Sequence, residues 1–346
     1  MRQKTLGIIV GRFQPLHKGH EQIILKAEEQ CDYLVILVGS ANAARTIKNP
    51  WTYRERHKMI TDFLNHQDLS IEEVQVLPLN DYKYSDTQWM QDVQQIADMF
   101  PTYKQKILFG FEKEGNDYLQ WFPQFQFKNL ESTETINATR IRQSLMSEHS
   151  RTGVRIPYRG MYIPEDVQAD FEYFEQEKEK FKDYPYPETL SFNCADALVE
   201  CNGHVLLIKR KFAPGRNTWA LPGGFKNTKE TFKETALREL YEETNIRVPE
   251  KVMQGSIVGS KLFDSPTRGN GIPRCTLVVH YKIAPDTDGK LPRANGADDA
   301  AECKWVPISE AINSYRLFDD HCDIIQDMTQ TKAVPAFYNS NYFQQQ

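Results

Sequence analysis

Two groups of residues in this 346-residue chain have the types and spacing to handle phosphate. The first is Gly11-Arg12-Phe13-Gln14-Pro15-Leu16-His17-Lys18-Gly19-His20. A glycine turn between a strand and a helix leaves backbone N–H groups pointing outward, and the helix dipole favours an anion there. Gly19 has no Cβ, so a phosphate can approach the helix start closely. His17 and His20 can donate to phosphoryl oxygens, and Arg12 and Lys18 add positive charge. Such a cradle suits a reaction that moves charge onto a bridging or leaving phosphate oxygen. Far along the chain, Ile136-Asn137-Ala138-Thr139-Arg140-Ile141-Arg142 can set the Thr139 hydroxyl and Arg142 at a second helix start, where they would clamp the far phosphates of a triphosphate. Two histidines in a turn are often plain surface residues; the second cluster lifts them above that.

The other group follows Leu221-Pro222-Gly223 and reads Gly224-x5-Glu230-x7-Arg238-Glu239-Leu240-x-Glu242-Glu243-x-Asn245-Ile246. Glu239, Glu242 and Glu243 share one helix face, and three like charges there repel unless a cation compensates them. Hard oxygen ligands suit Mg2+ or Mn2+, which would neutralise a diphosphate and activate a water for attack on phosphorus. Arg238 could pair with one carboxylate and orient it. Glutamates on a helix are usually a solvated face, and Asn227-x-x-Glu230 also reads as a capping box. Six fixed residues, each about 6% frequent, nevertheless coincide by chance below about once in 10⁷ starts.

The elements that must position these groups can be read from periodicity. Thr5–Val10 is a buried strand, the helical spacing of Ile23, Ile24 and Ala27 follows the glycine turn, and Tyr33–Val38 is a second buried strand. Strand, turn, helix, strand implies a parallel sheet. Further strands are expected at Ile71–Leu77 and Lys106–Phe109, with helices at Tyr53–Asn65 and Thr87–Met99. This is a doubly wound α/β domain over 1–150. Residues 151–187 read as a helical linker: Asp166–Lys182 is charged, with Phe171 and Phe174 as an aromatic docking stripe, and Tyr184-Pro185-Tyr186-Pro187 ends it. From 188 to 346 the pattern is strand-rich, with strands at Ala195–Glu200, Val205–Arg210, Gly255–Val258, Thr276–Ile283 and Cys303–Val306 around one helix, Lys229–Thr244.

Composition agrees with two soluble domains. Lys and Arg number 42 against 47 Asp and Glu, a net charge of −5, which argues against coating a nucleic acid. The longest apolar runs fall far short of the roughly 20 residues that cross a bilayer. Six cysteines without a CxxC pair suit reduced thiols in the cytoplasm. A homo-oligomer is left open.

The first domain resembles the archaeal-type nicotinamide mononucleotide (NMN) adenylyltransferases of the HxGH nucleotidylyltransferase superfamily. The likeness rests on GRFQPLHKGH, on KNPWTYRERHKMI at 48–60 and on INATRIR at 136–142, where Asn137 stands in place of the usual Ser. The resemblance implies a Rossmann-like fold and transfer of AMP from ATP to NMN, giving NAD and pyrophosphate. It implies that His17, His20, Thr139, Arg142 and Arg12 hold ATP and that Lys48 stands near the phosphates, where relatives often carry Arg. Asp81 and Trp89 are then the pair that reads the nicotinamide, although Trp89 could equally be core packing. The second motif is identified as a Nudix box, with Asn245 where the family has Gly. Asn is the next-best residue at a left-handed helix end.

Nudix domains are α/β/α sandwiches with a mixed sheet and hydrolyse nucleoside diphosphates linked to a further group. The segments Phe263–Arg268 and Gly296–Trp305 are similar to loops of ADP-ribose-hydrolysing members. The resemblance implies a base from a late loop, open among Asp298, Asp299 and Glu302, and a phosphate contact at Arg268, which could instead sit in a flexible loop. The expectation is one bifunctional enzyme of NAD metabolism acting on ATP, NMN and ADP-ribose. Other acceptors, other nucleoside diphosphates and a Nudix module that only senses nucleotides stay open.

Overall fold

The computed structural model describes residues 3–70, 72–110, 121–130, 137–152 and 161–338. The chain divides into two compact units, Met1–Pro164 with Val334–Gln346, and Glu165–Ala333. Ile71, expected in the third strand, lies outside the described residues, as do Ile136 of the INATRIR motif and 153–160 of the expected linker.

The first unit is built on a five-stranded parallel sheet. Its strands are β1 (Thr5–Gly11), β2 (Tyr33–Val38), β3 (Val74–Pro78), β4 (Gln105–Gly110) and β5 (Gln126–Asn129), ordered β3-β2-β1-β4-β5. The helices are α1 (Lys18–Glu28), α2 (Tyr53–His66), α3 (Asp86–Asp98) and α4 (Ala138–Thr152). Alternate strand residues face opposite layers, as a period of two requires. Leu34, Ile36 and Val38 join Ile23, Ile24 and Ile60 on one side. Val35 and Leu37 join Val93, Ile96 and Ala97 on the other. Thr52 starts α2 through a reciprocal capping box with Glu55. The short strand β5 was not expected; with three of its four residues exposed it carries no hydrophobic signature.

The C-terminal segment also belongs to this unit. Ala336 is fully buried in one apolar layer and Phe337 packs in the other, through a 3-10 turn over Ala336–Tyr338. Phe337→Ala should therefore destabilise the first unit by roughly 3 kcal/mol, the low end for truncating a buried Phe, since its site is at the core's margin. In denaturant unfolding, the transition reported by loss of ATP binding should move to lower concentration and that reported by ADP-ribose hydrolysis should stay. Equal movement of both would mean that the segment serves the two units alike.

The second unit carries a seven-stranded mixed sheet. The strands are β6 (Phe192–Cys201), β7 (His204–Arg210), β8 (Trp219–Ala220), β9 (Gly223–Phe225), β10 (Ile257–Phe263), β11 (Arg274–Ile283) and β12 (Ala300–Pro307). The main order is β10-β11-β6-β7-β12; β8 pairs with β7 and β9 with β6. The β11–β6 pair is parallel and its neighbours are antiparallel. The helices are α5 (Glu165–Lys180), α6 (Phe232–Thr244), α7 (Glu250–Gly255), α8 (Ile308–Ser314) and α9 (His321–Thr329). Ala236, Leu237 and Leu240 press α6 onto Ala195, Ala197, Val199 and Val279 of the sheet.

Two expectations differ from the structure. Among the described residues the expected 151–187 stretch is divided at Pro164, and α5 belongs to the second unit. Its Asp170 accepts the Gly215 N–H (2.9 Å), and Glu177 accepts the Ile272 N–H (3.1 Å) and pairs with Arg274. A charged helix looks solvated until its acidic residues find buried donors. The Nudix-box helix starts at Phe232, not Lys229. Thr231 and Glu234 form its capping box, while Asn227 and Glu230 bond each other in the preceding turn. Asn245 ends it in the left-handed conformation (φ 43°), as its side chain allowed.

Candidate functional sites

In a sheet of this order, ligands bind where the strand order reverses, beyond the carboxyl ends of β1 and β4. The turn after β1 carries the two histidines. His17 caps α1, its Nδ1 accepting the Gly19 N–H at 3.2 Å, so that amide is engaged by the cap rather than left open. His20 stacks on His17 with centroids 3.8 Å apart, and Phe13 leans on His20 at 4.9 Å. Lys18 and Arg12 are exposed beside them, and Gly19 is buried.

Residues 137–142 come to the same turn. Arg142 is buried and donates to Gln14 O (2.6 Å) and Thr139 Oγ1 (3.1 Å). Burial and then the nearby Arg12 push its pKa down to about 10. Asn137 Oδ1 accepts the N–H groups of Thr139 (2.8 Å) and Arg140 (3.1 Å). Ser and Asn serve equally in that capping role, which explains Asn137. The two sequence clusters thus form one cationic cradle.

Asp81 stands beside Gly39, as Arg12 does. A Cβ on Gly39 would lie 3.8 Å from both Arg12 Cγ and Asp81 Oδ1. The Asp81 carboxylate accepts the Ser40 N–H (3.1 Å) and the Ser40 hydroxyl, and its backbone exchanges two bonds with Asn42. Trp89 is half-buried on α3, edge-on to Trp121 (6.5 Å) and tilted against Phe122 (6.0 Å). Lys48 is exposed in the loop before α2.

In the second unit, a cavity of about 390 Å³ is lined by carboxylates, guanidiniums and aromatic rings. Glu239 and Glu243 project into it from α6 and Asp196 from β6. Arg238 binds Glu230 and Glu239 (both 2.7 Å) and Glu242 (2.8 Å), three carboxylates where one was expected. Glu243 is buried, accepts the Gly223 N–H at 2.8 Å, and is pushed up to about 8 by burial and then by Glu239 and Asp196. Glu239 is also raised, by burial first. Among the described residues no three acidic, His or Cys side chains already converge as metal ligands. The donor set nevertheless fits a hard divalent cation: crowded carboxylates whose ionisation is costly are stabilised by one.

Gly224 makes room for this arrangement. A Cβ there would fall 2.7 Å from Glu239 Oε2 and closer still to Oε1. Gly224→Ala should swing Glu239 away and lower hydrolysis about 10²-fold, the scale of a misplaced catalytic group. Its Mg2+ requirement should rise, and the melting temperature should hardly change because a side-chain end can yield. Wild-type hydrolysis at low Mg2+ would contradict this.

Arg268 lies in the loop between β10 and β11. It is buried, bonded through Nε to both oxygens of Asp320 (3.1 and 3.0 Å) and 3.6 Å from Asp196, with its charge stabilised despite burial. The three late-loop acids separate: Asp299 lines the cavity, while Asp298, in a left-handed turn, and the exposed Glu302 on β12 do not. The sequence reading missed Asp196, Arg210, Tyr173 and His321, and gave Phe174 only as part of a docking stripe; all stand on the cavity wall. Only Asp196 left a signal, a lone charge inside the apolar run Ala195–Val199. His321 is buried, accepts the Leu221 N–H at Nδ1 (2.9 Å), and is held neutral by burial, its pKa down at about 4.

Residues 8–144 match the cytidylyltransferase-like family model and 192–328 match the NUDIX domain model. The chain is 34% identical over 141 residues to a nicotinamide/nicotinic acid mononucleotide adenylyltransferase of Acinetobacter baylyi, covering 40% of this chain and 73% of that one. It is 30% identical to the nicotinamide-nucleotide adenylyltransferase of Haloarcula marismortui, over 46% of this chain and 81% of that one. A crystal structure of a bifunctional NMN adenylyltransferase/ADP ribose pyrophosphatase from Francisella tularensis aligns with TM-score 0.82 and 27% identity, over 94% of this chain and 99% of that one. A second structure of that protein is complexed with AMP and a manganese ion.

Proposed function

Because the chain belongs to the nicotinamide-nucleotide adenylyltransferase family and carries a Nudix domain, we propose that it is a bifunctional enzyme of NAD metabolism. The first unit transfers AMP from ATP to NMN; the second hydrolyses ADP-ribose to AMP and ribose 5-phosphate. The observation that carries this reading is the pairing, in one chain, of a cationic cradle with a cavity built around carboxylates. The first stabilises charge on a leaving pyrophosphate, and the second suits metal-assisted attack of water on a diphosphate.

In the first unit, the NMN phosphate oxygen attacks the α-phosphorus of ATP and pyrophosphate departs. His17, His20, Thr139 and Arg142 stabilise the charge that builds on the leaving oxygens, with Arg12, Lys18 and Lys48 as flanking cations. Asp81 accepts from the carboxamide and Trp89 offers its ring to the nicotinamide. In the second unit, Glu239, Glu242 and Glu243 would hold a divalent cation, which would neutralise the diphosphate and acidify a water. Arg238 would have to release Glu239 and Glu242 to that cation. Arg268 is held by Asp320 toward a phosphate, and Asp299, rather than Asp298 or Glu302, is the acid best placed to accept a proton. The six free thiols suit the reducing cytoplasm. The intact carboxylates speak against a module that only senses nucleotides.

Incubation with ATP, NMN and Mg2+ should yield NAD, and incubation with ADP-ribose should yield AMP; chromatography resolves both. Absence of either product removes that half of the reading. Asp81→Ala should weaken NMN binding about tenfold, the scale of one lost hydrogen bond to a charged group, and leave ATP binding within about two-fold. The wild type should prefer NMN over nicotinic acid mononucleotide, whose carboxylate Asp81 repels. Equal weakening of both substrates by Asp81→Ala would assign Asp81 to loop structure alone.

A further inference from the structure

Arg56 is 1% exposed, and its guanidinium donates to five main-chain carbonyls: Arg12 and Gly39 (both 2.6 Å), Ser40 (3.0 Å), Trp51 (3.1 Å) and Thr52 (3.3 Å). No carboxylate lies within ion-pair distance of it among the described residues. A buried cation without a paired anion is costly, and an apolar side chain would fill the same space more cheaply. What only a guanidinium supplies is a rigid fork that reaches several carbonyls at once.

The segments it joins are unusual. Phe13, a bulky buried residue, has φ 51°, and Ser40 also has φ 51°. Such left-handed residues persist only where their surroundings over-determine them, and they cluster at functional sites. The turn after β1 is held at Arg12 O by Arg56 and at Gln14 O by Arg142. The Gln14 amide adds a reciprocal pair with Trp51, at 2.8 and 3.1 Å. The turn after β2 is held at Gly39 O and Ser40 O by Arg56, and Ser40 in turn holds Asp81. One side chain therefore ties the histidine turn to the turn that carries Asp81.

We propose that Arg56 is a positioning residue for adenylyl transfer, locking the β1 and β2 turns at the spacing that brings the two nucleotides together in line, with Gln14 bracing the same β1 turn. This rests on the reading of the first unit as an adenylyltransferase. Arg56 touches neither substrate. Its loss should therefore fall on kcat: each nucleotide still finds its own half-site, but the reacting atoms meet at the wrong separation.

Arg56→Lys keeps a charge that reaches fewer carbonyls. Per ATP-binding site, counted by calorimetric titration, its kcat for NAD formation should drop about 10²-fold, the scale of a misplacement near 1 Å. KM for ATP and for NMN should each move less than about three-fold on the same argument. Added guanidinium should restore part of the rate in Arg56→Ala. A merely structural role would lower the number of ATP-binding sites and leave kcat per site unchanged, and that result would overturn the proposal. If the Arg56 variants do not fold, Gln14→Met makes the test without a charge change, with kcat per site expected to fall about tenfold; an unchanged value there would overturn the proposal too. Failure of the wild type to make any dinucleotide would instead sink the adenylyltransferase reading itself.

Discussion

Glu243→Gln should abolish ADP-ribose hydrolysis while leaving NAD synthesis nearly intact, and Glu242→Gln should do the same. Either change neutralises a hard oxygen donor that a divalent cation needs, with almost no change in size. If that costs about 4 kcal/mol of transition-state stabilisation, turnover slows roughly 10³-fold. AMP release from ADP-ribose at saturating Mg2+ is the measurement; activity within a few-fold of wild type in both variants would show that α6 is only a charged surface. Lys229→Gln, exposed in the turn before α6, is the control and should do little.

Burial adds a second readout for Glu243. Its carboxyl is raised to about 8 from an ordinary 4.5, so between those values the folded protein keeps a proton that the unfolded chain has released. Stability then falls as pH rises through that window, unless a cation takes the proton's place. Glu243→Gln should melt higher than wild type at pH 8 without metal and gain nothing from Mg2+. The exposed Glu242, tied to Arg238, should show no such stabilisation.

His20→Ala should cut NAD formation by about 10²–10³, the usual cost of one preorganised donor at a developing charge, and leave ADP-ribose hydrolysis unchanged. His20 lies on the stack formed with His17 at the start of α1, in the first unit. The variant should still bind ATP, because Arg142 and Thr139 are anchored through Gln14 and the α4 start independently of the ring. Unchanged NAD synthesis in a folded His20→Ala protein would mean that the cradle has been misassigned.

Much of this was legible in the order of residues. Parallel strands buried on both faces are short runs of Val, Ile and Leu, so Leu6–Val10 and Tyr33–Val38 announced themselves. The carboxylates of α6 share a face because helical spacing leaves no alternative. Caps were partly readable: Asn245 at a left-handed end was expected, whereas the true start of α6 at Thr231 was confused with Asn227 because both are followed by a Glu three residues on.

Other features depend on partners far away in the chain. Arg56 stands in a quoted motif, yet neighbouring residues do not reveal that its fork reaches carbonyls at 12, 39 and 40. Arg268 was open between a phosphate contact and a loop position, and its partner Asp320 lies 52 residues later. The charged helix α5 looked like a solvated connector until Gly215 and Ile272 supplied donors for Asp170 and Glu177. Local sequence determined the apolar strands, the helix faces and the chemistry each motif could perform, because those follow from dihedral preference and periodicity. Only the tertiary structure decided which carboxylates are buried, which cations face an anion or a carbonyl, and which acid reaches the cavity, because desolvation and pairing are properties of the space around a side chain and not of its neighbours in sequence.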